Sequence, residues 1–328
     1  MPFPYLPCPT SDSRFQAGFR ELECGFTSPR PTMIQLPYIE PVFRPPSEAR
    51  SLILQVTNGC SWNKCTFCEM YTLPQKKFHL KPLEELEAEV AAVAQSGHPV
   101  RRVFLADGDA MTLSFRRLND IMEIVKRHLP GIQRVSSYCL PRNLKNKTVE
   151  ELATLREMGL DLFYVGCESG DDLVLDRVQK GESFESSLAA LRKIKDAGAR
   201  SSVMILNGMG GMKYSEQHAK NSALLMNEAQ PEYLATLVVS FPQGMEKYEE
   251  GFRGEFEPLD QQGLFQEMFW LLDTLDLEKT IFRSDHASNY LVLKGTMNRD
   301  KARLLATVKQ ALERPGTVPL RPEWLRGL

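Results

Sequence analysis

The sequence predicts an α/β protein built on parallel strands. From residue 51 onward, short apolar runs alternate with segments of helical periodicity about six times. Such alternation is typical of βαβ units, in which each helix returns the chain to the same edge of a sheet. With 328 residues, the chain is long enough for one large α/β domain plus extensions.

Composition and charge argue against several classes of protein. The chain is 42% hydrophobic and 25% charged, and its formal net charge of −2 gives no general attraction to nucleic acid or membranes. It has no run of about 18 apolar residues that would predict a membrane span, and its start lacks the pattern of a secretion signal. Three of the seven cysteines lie in one loop, which does not suit a secreted disulfide scaffold. We therefore expect a cytoplasmic protein.

Residues 1–48 predict an extended N-terminal arm. They contain ten prolines and show little periodicity, so they cannot form a long helix. Cys8 and Cys24 fall in this arm, and we interpret them as incidental thiols rather than metal ligands.

Six strands and five intervening helices follow from local signals. The predicted strands are the apolar runs at 51–57, 100–106, 132–138, 162–165, 202–206 and 233–239. The predicted helices begin at 81 and then occupy 114–128, 148–159, 183–197 and 214–229. Pro82 and the acidic residues after it suit a first helical turn. Thr148 and Glu151 form a capping box, and Gly198 follows the end of the fourth helix.

The alternation stops near residue 240. A helix is predicted at 259–275, followed by a strand-like run with a polar tip at 280–291 and a basic helix at 299–313. The tail at 321–325 is interpreted as a docking segment.

Cys60, Cys65 and Cys68 lie within nine residues, in a C-x4-C-x2-C pattern directly after the first strand. Three thiolates on a [4Fe-4S] cluster leave one iron free to bind a ligand, whereas an electron-carrying cluster normally has four cysteines. The alternative is a structural zinc site, which needs a fourth Cys or His. The nearest candidate for that fourth ligand is His79, and the chain has no second pair of ligands.

This loop resembles that of the radical S-adenosylmethionine (SAM) superfamily, in which three cysteines follow the first strand. Phe67, just before the last cysteine, fits the aromatic residue that flanks the adenine there. The commonest spacing in that superfamily is C-x3-C-x2-C, so this chain has one extra residue. The resemblance implies a [4Fe-4S] cluster and SAM as cofactors, with reductive cleavage of SAM and hydrogen abstraction from a substrate. A member that has lost catalysis is a further alternative.

The strand–helix alternation alone fits a doubly wound sheet or an open barrel equally well. The resemblance favours the barrel, and it implies a partial (βα)6 TIM-like barrel over residues 49–245. Residues 246–328 would then form a C-terminal extension that covers the barrel.

The carboxyl ends of the strands hold the expected site, as in parallel barrels generally. Acidic groups after strand two suit the SAM amino group, and the Gly-x-Glu-Ser turn after strand four resembles that of the coproporphyrinogen-oxidase-like and elongator-like branch. A Lys twelve residues later would pair with the SAM carboxylate. The residues thereby assigned to SAM are Phe67, Asp107, Gly108, Asp109, Ser136, Glu168, Lys180 and Met204. Tyr138 is expected to contact the substrate.

The polar tip of the C-terminal extension supplies the remaining candidates. His286 and Tyr290 are expected to act in catalysis and Asn289 to bind substrate, because their donors and acceptors suit a polar molecule. A buried hydrogen-bonding turn explains the same residues equally well.

The expected partners are a small-molecule or peptide substrate and an electron donor such as flavodoxin or ferredoxin. No membrane or nucleic-acid partner is expected. The sequence does not identify the reaction.

Overall fold

The computed structural model of the chain describes residues 35–326. Most of the predicted arm, including Cys8 and Cys24, therefore lies outside the described residues. None of the helices in the described part is long and apolar enough to cross a membrane.

The described residues form ten strands, eight of which make one sheet. The strands are β1 Leu52–Gln55, β2 Thr57–Asn58, β3 His79–Leu80, β4 Arg102–Ala106, β5 Arg134–Cys139, β6 Leu160–Glu168, β7 Arg200–Asn207, β8 Tyr233–Val238, β9 Ile281–Ser284 and β10 Leu293–Thr296. The large sheet has the order β1-β4-β5-β6-β7-β8-β9-β10, while β2 and β3 pair separately. Every pair from β1 to β9 is parallel, and β10 is antiparallel to β9.

This strand order decides between the two architectures that the alternation allowed. A doubly wound sheet reverses its strand order at a switch point, whereas here each new strand is added on the same side of the sheet. β1 and β10 are its two edges, so the sheet is an open barrel. The six predicted strands correspond to β1 and β4–β8, and the predicted α/β partial barrel is confirmed.

Nine α-helices lie in the described part of the chain. They are α1 Leu83–Gln95, α2 Phe115–His128, α3 Val149–Glu157, α4 Asp172–Arg177, α5 Phe184–Asp196, α6 Gly211–Ala229, α7 Glu246–Gly251, α8 Gln261–Thr274 and α9 Lys301–Glu313. The capping box predicted at the start of α3 is present, since Thr148 Oγ1 accepts from Glu151 N and Thr148 N donates to Glu151 Oε2. The two six-residue helices, α4 and α7, were not predicted.

The helices pack on one face of the sheet, where strand residues such as Leu105, Val165 and Val203 join the hydrophobic core. Alternate residues point to the opposite face. There Phe104 meets Tyr138 edge-on at 5.1 Å between ring centroids, and Tyr138 meets Tyr164 at 6.3 Å. This aromatic group lines the inside of the barrel.

A buried carboxylate ties the segment before β1 to two strands of the barrel. Glu48 ends a short 3-10 helix and is fully buried. It accepts hydrogen bonds from Arg134, at the start of β5, at 2.6 Å and from the Tyr164 hydroxyl at 2.7 Å. Ser51 also donates to it. These bonds hold the chain against β5 and β6 just before β1 begins.

The region after residue 245 continues the same sheet. β9 pairs with the edge of β8 and β10 with that of β9, so the strand-like run predicted at 280–291 begins with a strand that extends the barrel sheet. The predicted basic helix corresponds to α9.

Candidate functional site

The cysteine loop runs between the short strands β2 and β3, at the carboxyl end of β1. Cys60, Cys65 and Cys68 are free thiols of intermediate burial. Gly59 precedes them with a φ of 69°, and a Cβ there would lie 2.1 Å from the Lys76 carbonyl oxygen. Only glycine can make this turn without a clash.

The thiols share a common electrostatic environment. Burial raises the pKa of all three, to about 12 for Cys65. The nearby Lys180 ammonium lowers each of these pKa values, and the Glu168 carboxylate raises those of Cys65 and Cys68. The loop therefore brings all three sulfurs within electrostatic reach of Lys180, and those of Cys65 and Cys68 within reach of Glu168 as well.

The donor set fits a cluster better than a single metal ion. Within residues 35–326, no group of three or more His, Cys, Asp or Glu side chains is placed to hold one metal ion. His79, the candidate fourth zinc ligand, is exposed and its Nδ1 contacts the Lys77 carbonyl at 2.9 Å. A tetrahedral zinc requires four ligands around one atom, whereas a cubane cluster takes each cysteine on a different iron.

Glu168 and Lys180 form a buried ion pair beside this loop. Lys180 Nζ donates to Glu168 Oε1 at 3.0 Å and lies 5.7 Å from the centre of the Phe67 ring. Burial lowers the pKa of Lys180, but the charges of Glu168 and Cys65 outweigh burial, so the pKa is raised overall. Glu168 has a φ of 64°, which is unusual for a residue other than glycine. Such strain often marks a functional position.

The turn between α4 and α5 anchors the cysteine loop next to this pair. Thr66 N donates to the Val178 carbonyl at 3.0 Å, and Trp62 Nε1 donates to the Gln179 carbonyl at 2.8 Å. The Arg142 guanidinium stacks on Trp62 at 3.7 Å. The two hydrogen bonds therefore hold the loop next to the segment that leads to Lys180, and the Arg142 stack holds the Trp62 side chain in place.

The acidic turn after β4 also contacts the cysteine loop. Asp109 Oδ2 accepts from the backbone N and the hydroxyl of Ser61, and Asp107 Oδ2 accepts from the buried Lys76 ammonium. The Oδ1 atom of each carboxylate is buried without a hydrogen-bond partner among the described residues. Each acid therefore has one oxygen that accepts from the loop or from Lys76 and one buried oxygen without such a bond. Gly108 lies between them against Tyr71, whose ring a Cβ would approach to 2.3 Å.

Ser136, Tyr138 and Met204 alternate with core residues on their strands and so face the inside of the barrel. Ser136 is fully buried and its hydroxyl lies 3.4 Å from the Val103 carbonyl. Tyr138 belongs to the aromatic group described above, and Met204 is the register neighbour of Gly166. Their roles toward SAM and substrate stay predictions.

The polar tip after β9 lies at the carboxyl end of β8. Asn289 Nδ2 donates to the Thr236 carbonyl at 2.8 Å, so its amide already holds the loop to β8. His286 Nδ1 is 2.9 Å from Ser288 Oγ, and burial lowers the pKa of the imidazole. The Arg326 guanidinium covers the Tyr290 ring at 3.7 Å. These contacts give the tip a structural role, and its contact with substrate stays a prediction.

An aromatic cluster covers the cysteine loop on the side of α7. Tyr248, Phe252 and Phe256 are buried there, and Phe67 packs against them. The turn before α7 also contacts the loop, because Gln243 N donates to Glu69 Oε1 at 3.1 Å. Sequence reasoning missed this cluster, since α7 is too short to show a helical period.

Known proteins share sequence similarity with the part of the chain that contains this site. The model of the Radical SAM superfamily matches residues 54–223, just over half of the chain. Heme chaperone HemW of Bacillus subtilis is 22% identical over 149 residues, covering 44% of this chain and 39% of HemW. The tRNA uridine(34) acetyltransferase of Methanocaldococcus infernus is 21% identical over 243 residues, covering 62% and 45%. The chain thus spans less than half the length of these relatives.

Two solved structures share the fold. Coproporphyrinogen III oxidase (HemN) from Escherichia coli superposes with a TM-score of 0.53 at 16% identity, covering 68% of this chain and 52% of HemN. The native anSMEcpe structure with bound AdoMet superposes with a TM-score of 0.52 at 15% identity, covering 68% and 59%. At these identities the likeness concerns the fold alone.

Proposed function

Because this chain belongs to the radical SAM superfamily, whose enzymes use a [4Fe-4S] cluster and SAM, we propose that Cys60, Cys65 and Cys68 hold such a cluster. We further propose that the protein abstracts a hydrogen atom from a small-molecule or peptide substrate. The observation that carries this proposal is the set of three free thiols beside the Glu168–Lys180 pair, at the carboxyl edge of a parallel barrel. A zinc-stabilised binding protein is not favoured.

A [4Fe-4S] cluster held by Cys60, Cys65 and Cys68 would supply the electron for reductive cleavage of SAM, and with it the hydrogen-abstraction chemistry. The protein's part is binding and orientation. The Lys180 ammonium stabilises the thiolates, because it lowers the pKa of each cysteine. Metal binding requires those deprotonated sulfurs.

Glu168 and Lys180 together match the amino-acid end of SAM. That end carries an ammonium and a carboxylate, and the pair offers one opposite charge to each. Asp107 and Asp109, whose Oδ1 atoms have no hydrogen-bond partner among the described residues, are proposed as further groups that attract the ammonium. Charge-assisted hydrogen bonds of this kind are about twice as strong as neutral ones.

Inside the barrel, Phe104, Tyr138 and Tyr164 form the wall that a substrate would meet. The aromatic cluster around Tyr248 shields the cysteine loop from solvent. Exclusion of water protects reactive intermediates from side reactions. We propose that the substrate is a small molecule or a peptide and that the reductant is a one-electron donor protein such as flavodoxin or ferredoxin.

Anaerobic reconstitution with iron and sulfide tests this function. We expect a brown protein that binds SAM and releases 5′-deoxyadenosine after reduction. Cys65→Ala should lose the cluster, whereas the matched variant Cys139→Ala, which removes a buried thiol outside the loop, should retain it. A colourless protein that holds one tight zinc, or a Cys65→Ala protein with full iron content and SAM cleavage, would contradict the proposal.

A further inference from the structure

A buried polar network links the two strand ends that flank the proposed SAM site. His218 on α6 is 1% exposed, and Glu267 on α8 is 2% exposed. The two side chains approach each other to 3.9 Å between Nε2 and Oε1. Both are far from the cysteines in sequence, and the mechanism proposed above uses neither.

His218 bridges the turn after β6 to the end of β7. Its Nε2 lies 3.0 Å from the Leu206 carbonyl oxygen, which can only accept, so Nε2 carries a hydrogen. Its Nδ1 lies 2.7 Å from the hydroxyl of Ser169, the residue directly after Glu168. One imidazole therefore bridges the turn after Glu168 and the end of β7. β7 leads directly into a glycine turn at residues 208–211.

Glu267 fixes the other side of the same glycine turn. Its Oε1 accepts from Gly208 N at 2.6 Å, and its Oε2 accepts from the Ser215 hydroxyl at 2.5 Å. Gly208 has a φ of 84°, a conformation that favours glycine. The Glu267 carboxylate on α8 thus binds the backbone N–H of Gly208, a position at which any residue other than glycine would be strained.

Residues of α6 close to His218 also form hydrogen bonds with the turn after Glu168. Ser222 Oγ accepts from Gly170 N at 2.9 Å, and Asn221 Nδ2 donates to Asp171 at 2.6 Å. A Cβ on Gly170 would lie 2.3 Å from the Asn221 carbonyl oxygen. Helix and turn are therefore in direct contact, with no room for the turn to shift toward the helix.

We propose that His218 and Glu267 are positioning residues, which set the spacing between the turn after β6 and the glycine turn after β7 and so shape the SAM site without touching SAM. This rests on the proposed function, in which Glu168 binds SAM. Without the network, Glu168 would keep Lys180 as a partner and its pairing with Ile205 of β7, but the turn that follows it would lose its bridge to the end of β7.

The test compares two leucine variants on the same pair of helices. His218→Leu removes the bridge. Asn227→Leu is the matched control, because Asn227 bonds to the Thr274 carbonyl and to Asp276 N and so links α6 to the far end of α8. Both variants should lower the melting temperature. After anaerobic reconstitution, both should hold the wild-type amount of iron.

Of these two leucine variants, only His218→Leu should weaken SAM binding. The expected change is about tenfold in the Kd measured by calorimetry, which is typical of residues that hold a ligand-binding residue in place. The addition of SAM should change the EPR signal of the reduced cluster, and this change should differ between His218→Leu and the wild type. Ser169→Ala, which removes one bond of the bridge, should give a smaller shift in the same direction. Glu267→Gln, which keeps an acceptor for Gly208 N, should stay close to wild type.

Equal SAM affinity in wild type, His218→Leu and Ser169→Ala would overturn the positioning role and leave the proposed function standing. If His218→Leu does not fold, Ser169→Ala decides the question: weaker SAM binding supports the positioning role, and wild-type affinity overturns it. A reconstituted wild-type protein that binds no SAM would overturn both.

Discussion

Replacement of Lys180 by Met separates the structural role of the Glu168–Lys180 pair from its proposed role toward the cysteines. The two side chains are 9% and 4% exposed, so the variant leaves a buried carboxylate without its ion-pair partner. Removal of one member of such a pair costs about 3–5 kcal/mol. We expect that loss in the free energy of unfolding of the cluster-free protein, measured by urea denaturation.

The same change should shift cluster assembly to higher pH. Lys180 lowers the pKa of Cys60, Cys65 and Cys68, so its removal raises these pKa values and reduces the fraction of thiolate at a given pH. Since iron binds the thiolate, the pH for half-maximal cluster assembly must rise. Anaerobic reconstitution over a pH series, followed by iron analysis, measures this midpoint.

Lys81→Met is the matched control. Lys81 and Glu89 form an ion pair with side chains 10% and 7% exposed, on the chain after β3 and outside the cysteine environment. This variant should lose comparable stability but keep the wild-type pH midpoint. If Lys180→Met and Lys81→Met show the same midpoint, the assignment of Lys180 to thiolate stabilisation is wrong.

Three further predictions address other parts of the site. Glu168→Ala should weaken SAM binding by at least about tenfold in calorimetry, since it removes a charged acceptor, and unchanged affinity would exclude Glu168 as a SAM ligand. Gly108→Ala should lower stability by about 1–3 kcal/mol in thermal unfolding, because its Cβ would overlap the Tyr71 ring; a wild-type melting curve would show that the turn can move. His286→Ala should keep iron content and SAM affinity but reduce substrate turnover relative to 5′-deoxyadenosine release, and loss of the cluster would instead indicate a structural role.

Local signals were sufficient for most of the fold. The Thr148 capping box and the apolar strand runs depend on neighbours within a few residues, so the sequence carries them directly. The six-residue helices α4 and α7 were missed because fewer than two turns cannot display a 3.6-residue period. The choice between an open barrel and a doubly wound sheet also required the strand order, which no local pattern encodes.

The sequence predicted only those parts of the site that depend on residues close together in the chain. The cysteine loop is a contiguous motif, whereas the partners of its neighbours come from distant segments. Asp107 pairs with Lys76, 31 residues earlier, and Asn289 bonds to Thr236, 53 residues earlier. The residues next to Asp107 and Asn289 in the sequence do not predict these contacts. His218 and Glu267 carried no signal, because a lone His or Glu in a helix is ordinary.

The buried Glu48 has a consequence for how a molecule can approach the site. Arg134 and Tyr164 bind it just before β1, so a molecule that came from the amino end of the sheet would have to break these buried hydrogen bonds. SAM and substrate would therefore reach the cysteine loop from the carboxyl edge or through the open side of the sheet, and the buried carboxylate obstructs neither route.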